Sequence, residues 1–225
     1  LISVFFFSYF SDKKTMLPRE KSNKVLKDKN LSTKDKAFNH TSTQKEKSTI
    51  KILRKKIKKH LPTMQYVGEG AEEIYQKSIN ELRENKDDVT EILIQDYFDT
   101  TEDNYLRRQQ LIETMRALHS RKSIPMFNNL LMEKFPEEKS QDLHHGSTQL
   151  EEGIIRLTAI EGLGYFAKKE KDEEVLITLL EVIKNSKSPL PLKRQATREY
   201  LQSSKNINSL DKNKELIRSF LPKNE

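Results

Sequence analysis

The side chains best suited to move protons or hold a metal near neutral pH are the five histidines, His40, His60, His119, His144 and His145. They form no His-Glu-x-x-His pattern, and only the stretch Asp142, His144, His145, next to Gly146, brings an acid and imidazoles together. A metal there would need further ligands on a rigid support, and the polar segment 136–150 reads as a solvated loop. No metal is therefore expected. The chain has no cysteine, which removes disulfides, thiolate zinc sites and cysteine nucleophiles. Gly68 and Gly70 follow no strand and precede no Lys-Ser or Lys-Thr pair. They read as an irregular lead-in to a helix, not as a phosphate cradle. No catalytic residue, no cofactor and no small-molecule substrate is expected.

The other chemistry on offer is positive charge. In residues 50–61, IKILRKKIKKHL, the apolar positions Ile50, Leu53, Ile57 and Leu61 recur at helical spacing among Lys51, Arg54, Lys55, Lys56, Lys58 and Lys59. The spacing predicts a basic amphipathic helix ended by Pro62. Such a helix can lie on an anionic membrane, contact nucleic-acid phosphates, or dock as the first helix of the domain behind it. Residues 11–62 hold 17 Lys and Arg against 5 Asp and Glu, while residues 63–225 hold 24 against 29, so the net +7 belongs to an arm. Exposed charges act only within about 8–10 Å at physiological salt, so the remainder is not a basic surface.

The elements that must position these residues divide the chain in three. Residues 1–10, LISVFFFSYF, are uncharged and aromatic-rich, and resemble the remnant of an apolar leader or membrane anchor. No run of 18 apolar residues exists to span a bilayer. An exported, periplasmic or membrane-tethered location is expected, with a cytoplasmic one as the alternative. Residues 11–49 carry apolar residues without a period and read as a disordered linker, so 11–62 is expected to be a basic arm ending in the amphipathic helix. The triplets starting at Asn30 and Asn39 match the glycosylation pattern, which matters only in a eukaryotic secretory setting. Residues 63–225 read as helix after helix.

Within 63–225 the sequence repeats itself. Leu106-Arg107 and Ile155-Arg156 stand 49 apart, as do Leu130-Leu131 and Leu179-Leu180. A shift of 37 places Ile155-Arg156 on Leu192-Lys193, Ala159 on Ala196, and Leu179-Leu180 on Leu216-Ile217, and relates Leu93-Ile94 and Phe98 to Leu130-Leu131 and Phe135. Four two-helix units follow, at about 66–99, 105–135, 154–184 and 191–221, with an insertion near 136–150. Ile155, Ile160, Leu163 and Phe166 supply an apolar face, and the small Ala159 and Ala196 suit close helix approach. Asp172 as an N-cap, Thr148-Gln-Leu-Glu151 as a capping box, and Pro189 with Pro191 punctuate the units.

Ile155-Arg156, Ala159, Leu163-Gly164, Asp172 and the helix beginning at Glu173 resemble a HEAT repeat, and Ser188-Pro189, Leu192-Lys193 and Ala196 open another. The likeness covers roughly 105–221 and departs from the pattern at Gln110, where a small residue is usual. Leu163-Gly164-Tyr165 is also similar to tetratricopeptide repeats, whose spacing it does not match. The HEAT resemblance implies an all-α fold, a short α-solenoid of about four helical hairpins, with second helices lining the concave face. It implies a non-enzymatic scaffold for a protein or peptide partner. The residues it places on that face are Asn128, Asn129 and Glu133 in one unit and Glu174, Thr178 and Glu181 in the next. The alternatives are nucleic-acid or anionic-membrane binding through the basic arm, or a HEAT-like DNA glycosylase. The glycosylase reading is weakened by the absence of Trp and by the excess of acids in 63–225.

Overall fold

The computed structural model describes residues 44–138 and 147–203, with Ile217, Ser219 and Phe220. The decapeptide 1–10, the linker to residue 43 with Asn30 and Asn39, the Asp142, His144, His145 stretch, and Leu216 of the last unit lie outside the described residues.

The described residues are helical and contain no strand. In chain order the helices are α1 (Gln44–His60), α2 (Ala71–Arg83), α3 (Lys86–Phe98), α4 (Tyr105–Leu118), α5 (Ile124–Met132), α6 (Thr148–Glu170), α7 (Glu173–Lys184) and α8 (Leu190–Ser203). Short 3-10 turns at Leu61–Gln65 and Arg121–Ser123 precede the loop to α2 and the start of α5. Gly70, at φ 80°, is the N-cap of α2, a left-handed position that explains a glycine in this lead-in. Asp172 caps α7 as expected, accepting from the N–H groups of Glu174 at 3.1 Å and Val175 at 3.3 Å.

At α6 the expected capping box is replaced. The cap is Ser147, whose hydroxyl accepts from the Leu150 N–H at 3.3 Å, and Thr148 is already helical. Glu138 reaches across to accept from the Thr148 N–H at 2.9 Å, placing a carboxylate at the positive end of the helix. An acid from before the loop thus does the work expected of Glu151.

The core runs from Leu53 on α1 to Tyr200 on α8 and also includes Ile217, and α6 is central, packed against α4, α5, α7 and α8. Ala159 and Ala196 are fully buried, as are Ile155, Ile160 and Leu163, with Phe166 nearly so. The buried positions Ile155, Ala159, Ile160, Gly162 and Leu163 of α6 fall on Leu192, Ala196, Thr197, Glu199 and Tyr200 of α8 at the expected offset of 37. Between α4 and α6 the register is different. Arg108, Leu111, Ile112, Thr114, Met115 and Leu118 fall on Arg156, Ala159, Ile160, Gly162, Leu163 and Phe166, an offset of 48 where 49 was expected. Leu106 is 56% exposed while Ile155 is buried, so Arg108, not Arg107, is the inward counterpart of Arg156.

The expected boundary at residue 62 also moves. Leu53, Ile57 and Leu61 are buried at 2–3% exposure, and α1 packs on α2 and α3. Each such side chain contributes about 1.5–3 kcal/mol on burial. From its first described residue, Gln44, α1 thus packs as part of the helical domain instead of ending an arm.

Candidate interaction surfaces

Docking of α1 sorts its cations into two sets. Arg54 Nη1 lies 2.5 Å from Asp96 Oδ1 on α3. Lys56 donates to the Glu81 carbonyl at 3.3 Å and sits 3.6 Å from the Glu84 carboxylate. These two tie the helix down. Lys51, Lys55, Lys58 and Lys59 are exposed and make no ion pair among the described residues, and Lys47 is exposed on the same side. Ile50 is 42% and Ile52 59% exposed, so the apolar stripe expected to include Ile50 begins at Leu53.

On the second helices, Asn129 lies on the exposed side of α5, with Glu133 exposed at its C-cap, and Glu174 and Glu181 are exposed on α7. Asn128 is half-buried, with its side-chain oxygen shielded and without a hydrogen-bond partner. Thr178 is the exception among the expected contact residues. It is buried at 7% exposure, and its hydroxyl donates to the Glu174 carbonyl at 3.2 Å, the usual i−4 bond of a threonine turned into a helix. Thr178 therefore cannot meet a partner. The sequence reading also missed the apolar residues on these elements, Met132 at 44% and Ile177 at 57% exposure, because large apolar residues were assigned inward by rule.

Glu133 is held in place by a buried polar network. Arg108 Nη1 donates to Glu152 Oε2 at 2.9 Å, and Arg156 Nε donates to Glu152 Oε1 at 3.0 Å. Arg108 also donates to the Tyr97 hydroxyl oxygen at 2.6 Å. Arg156 then donates to the carbonyls of Glu133 at 2.8 Å and Lys134 at 3.2 Å and lies over the Phe135 ring at 4.6 Å. One carboxylate compensates two buried guanidinium groups and links α3, α4, α6 and the exit of α5. Removing one partner of such a set leaves a buried unpaired charge, which costs about 3–5 kcal/mol. The only sequence signal was the i, i+4 spacing of Glu152 and Arg156 on an otherwise apolar face.

Of the two described histidines, His60 and His119, His60 is fully buried, at the end of α1. Burial lowers its pKa from 6.5 to about 4, so it is neutral. Its Nδ1 pairs with the Ser78 hydroxyl of α2, and its Nε2 has no hydrogen-bond partner. A serine nucleophile needs a base oriented by a third group, and no such group stands behind this imidazole. The pair joins α1 to α2. A shallow cavity of about 270 Å³ nearby is lined by Thr63, Met64, Tyr66, Tyr75 and Glu113 among others, a mixed lining with no converging acid and base. Among the described residues, no three His, Asp or Glu side chains converge as metal ligands would, and no helix is long and apolar enough to cross a membrane.

No protein-family model, curated protein or solved structure matches the chain.

Proposed function

We propose that the protein is a non-enzymatic interaction module, a short HEAT-like solenoid that holds a protein or peptide partner on the face formed by α5 and α7. Two packing relations support the architecture. The first helices α4, α6 and α8 lie against one another in turn, and α5 lies against α7. Such contacts are what stacked repeats would make, each hairpin covering the apolar face of its neighbour.

The observation that carries the binding reading is the composition of the uncovered side of α5 and α7. Met132 and Ile177 stand exposed among Asn129, Glu133, Glu174 and Glu181. Apolar anchors within a polar, acidic rim suit a partner segment that is basic and carries apolar side chains of its own. Enzymatic readings, the DNA glycosylase among them, find no convergent acid and base on the described surface to build on.

The test is affinity purification with the full chain, compared with an Ile177→Glu, Glu181→Lys variant and a Lys169→Glu control on the exposed end of α6. The reading expects a specific partner retained by wild type and control and lost by the α7 variant. Partners retained equally by all three would remove the α5 and α7 face from consideration.

A further inference from the structure

The outer face of α1 is not used by the interaction reading, and its composition is distinct from every other exposed face. Lys47, Lys51, Lys55 and Lys59 recur every fourth residue, with Lys58 beside them, so they form one row along the side opposite Leu53 and Ile57. The helix has 17 residues, a rod of about 25 Å. Among the described residues none of these lysines has an anionic partner, whereas both cations that point toward the domain, Arg54 and Lys56, do. Ile52, 59% exposed, borders the row on one side, whereas Ile50 lies on the side of Leu53 and Ile57.

We propose that this face is a docking surface for anionic lipid headgroups, with α1 lying flat on a membrane. Three features select a lipid surface over nucleic acid. The row runs obliquely across the outer face and is built from lysines, point charges that suit a plane of dispersed headgroups; the one arginine of α1, the residue type suited to bidentate phosphate contacts, is committed to Asp96. No Phe, Tyr or Trp belongs to α1 and the His60 ring is buried, so this face offers no platform on which bases could stack. Ile52, exposed beside the row, supplies the shallow apolar contact that an interfacial helix makes at the headgroup boundary. In sequence, the same chain carries the uncharged decapeptide LISVFFFSYF and a further lysine-rich stretch before α1. Stable membrane attachment takes two signals, and an apolar segment with a polybasic face is such a combination.

The experiment uses full-length protein in flotation with vesicles of phosphatidylcholine alone and of phosphatidylcholine with phosphatidylglycerol, at low and high salt, with duplex DNA titrated in parallel. Wild type is expected to bind the phosphatidylglycerol vesicles at low salt, to be largely released at high salt, and to bind phosphatidylcholine weakly. The Lys51→Glu, Lys55→Glu, Lys59→Glu variant should lose affinity by roughly a hundredfold or more. Its thermal melting should match wild type, because these lysines pair with nothing in the fold. A control of equal net charge, Lys169→Glu, Lys184→Glu, Lys187→Glu, should lose far less. Ile52→Ser should weaken vesicle binding. The proposal is overturned if the α1 variant floats as well as wild type, if wild type does not bind the anionic vesicles, or if duplex DNA is bound more tightly than those vesicles and Ile52→Ser has no effect.

Discussion

His60 shows how a single residue couples this fold to pH. Burial, with no compensating acid, holds its pKa near 4 against 6.5 in an unfolded chain, so between these values the unfolded state binds the extra proton. The stability that depends on neutral His60 is complete above about pH 6.5 and is lost as pH falls toward 4. The difference amounts to roughly 3 kcal/mol. His119 adds to the same trend, its pKa lowered first by burial and then by Arg83, Arg116 and Lys86. We expect thermal melting of wild type to fall across this window and a His60→Gln chain, which cannot take up the proton, to fall by clearly less. Equal losses in the two chains would show that His60 is not buried uncharged. The residue was visible in the sequence only as part of a basic run, since nothing in IKILRKKIKKHL distinguishes an inward histidine from an outward one.

At the scale of elements, α6 is where sequence and packing can be compared most closely. Its buried face is continuous with what residue type implies: Ala159 and Gly162 are small where α4, α5 and α8 approach, and Phe166 fills the far end. A Cβ on Gly162 would stand 2.5 Å from Phe127 Cε2, and one on Gly164 would stand 2.5 Å from Glu199 Cδ, while one on Gly153 would meet nothing within 4 Å. The same substitution should therefore act with different sign along one helix. Gly153→Ala should stabilise by about 0.5–1 kcal/mol through backbone entropy. Gly162→Ala should destabilise by about 1–3 kcal/mol, because a buried ring has nowhere to go. Gly164→Ala should also destabilise, since Glu199 is buried and held by Lys168 at 2.6 Å and by Gln195 at 3.0 Å. Urea unfolding of the three variants measures this, and a Gly162→Ala chain as stable as Gly153→Ala would mean that α5 does not pack there. The helical class, the cap at Asp172 and the offset of 37 were legible because they rest on spacing and residue type. The offset of 48 was not, because Leu106-Arg107 imitates Ile155-Arg156 in type. A slip of one residue turns a helix by about 100°, which only burial reveals. The cap from Glu138 was hidden for another reason: it arises from chain folding back across a loop.

For the whole molecule, the main revision is that the basic helix is part of the domain. Its amphipathic period announced a buried side, yet the excess of charge suggested an arm, and the three apolar residues outweigh that charge because the lysines remain in solvent while Leu53, Ile57 and Leu61 leave it. The candidate contact face was legible in part: Asn129, Glu133, Glu174 and Glu181 are outward as the repeat implied, Thr178 is inward, and Met132 and Ile177 were found only from the fold. The central claim is that α5 and α7 together meet a partner. Because the chain contains no cysteine, one introduced at Asn129, Ile177 or, on α8, the exposed Gln202 can each carry a single photocrosslinker on full-length protein. The account predicts that the same partner is crosslinked from Asn129→Cys and from Ile177→Cys and not from Gln202→Cys. Crosslinking from Gln202→Cys with none from α5 or α7 would contradict it.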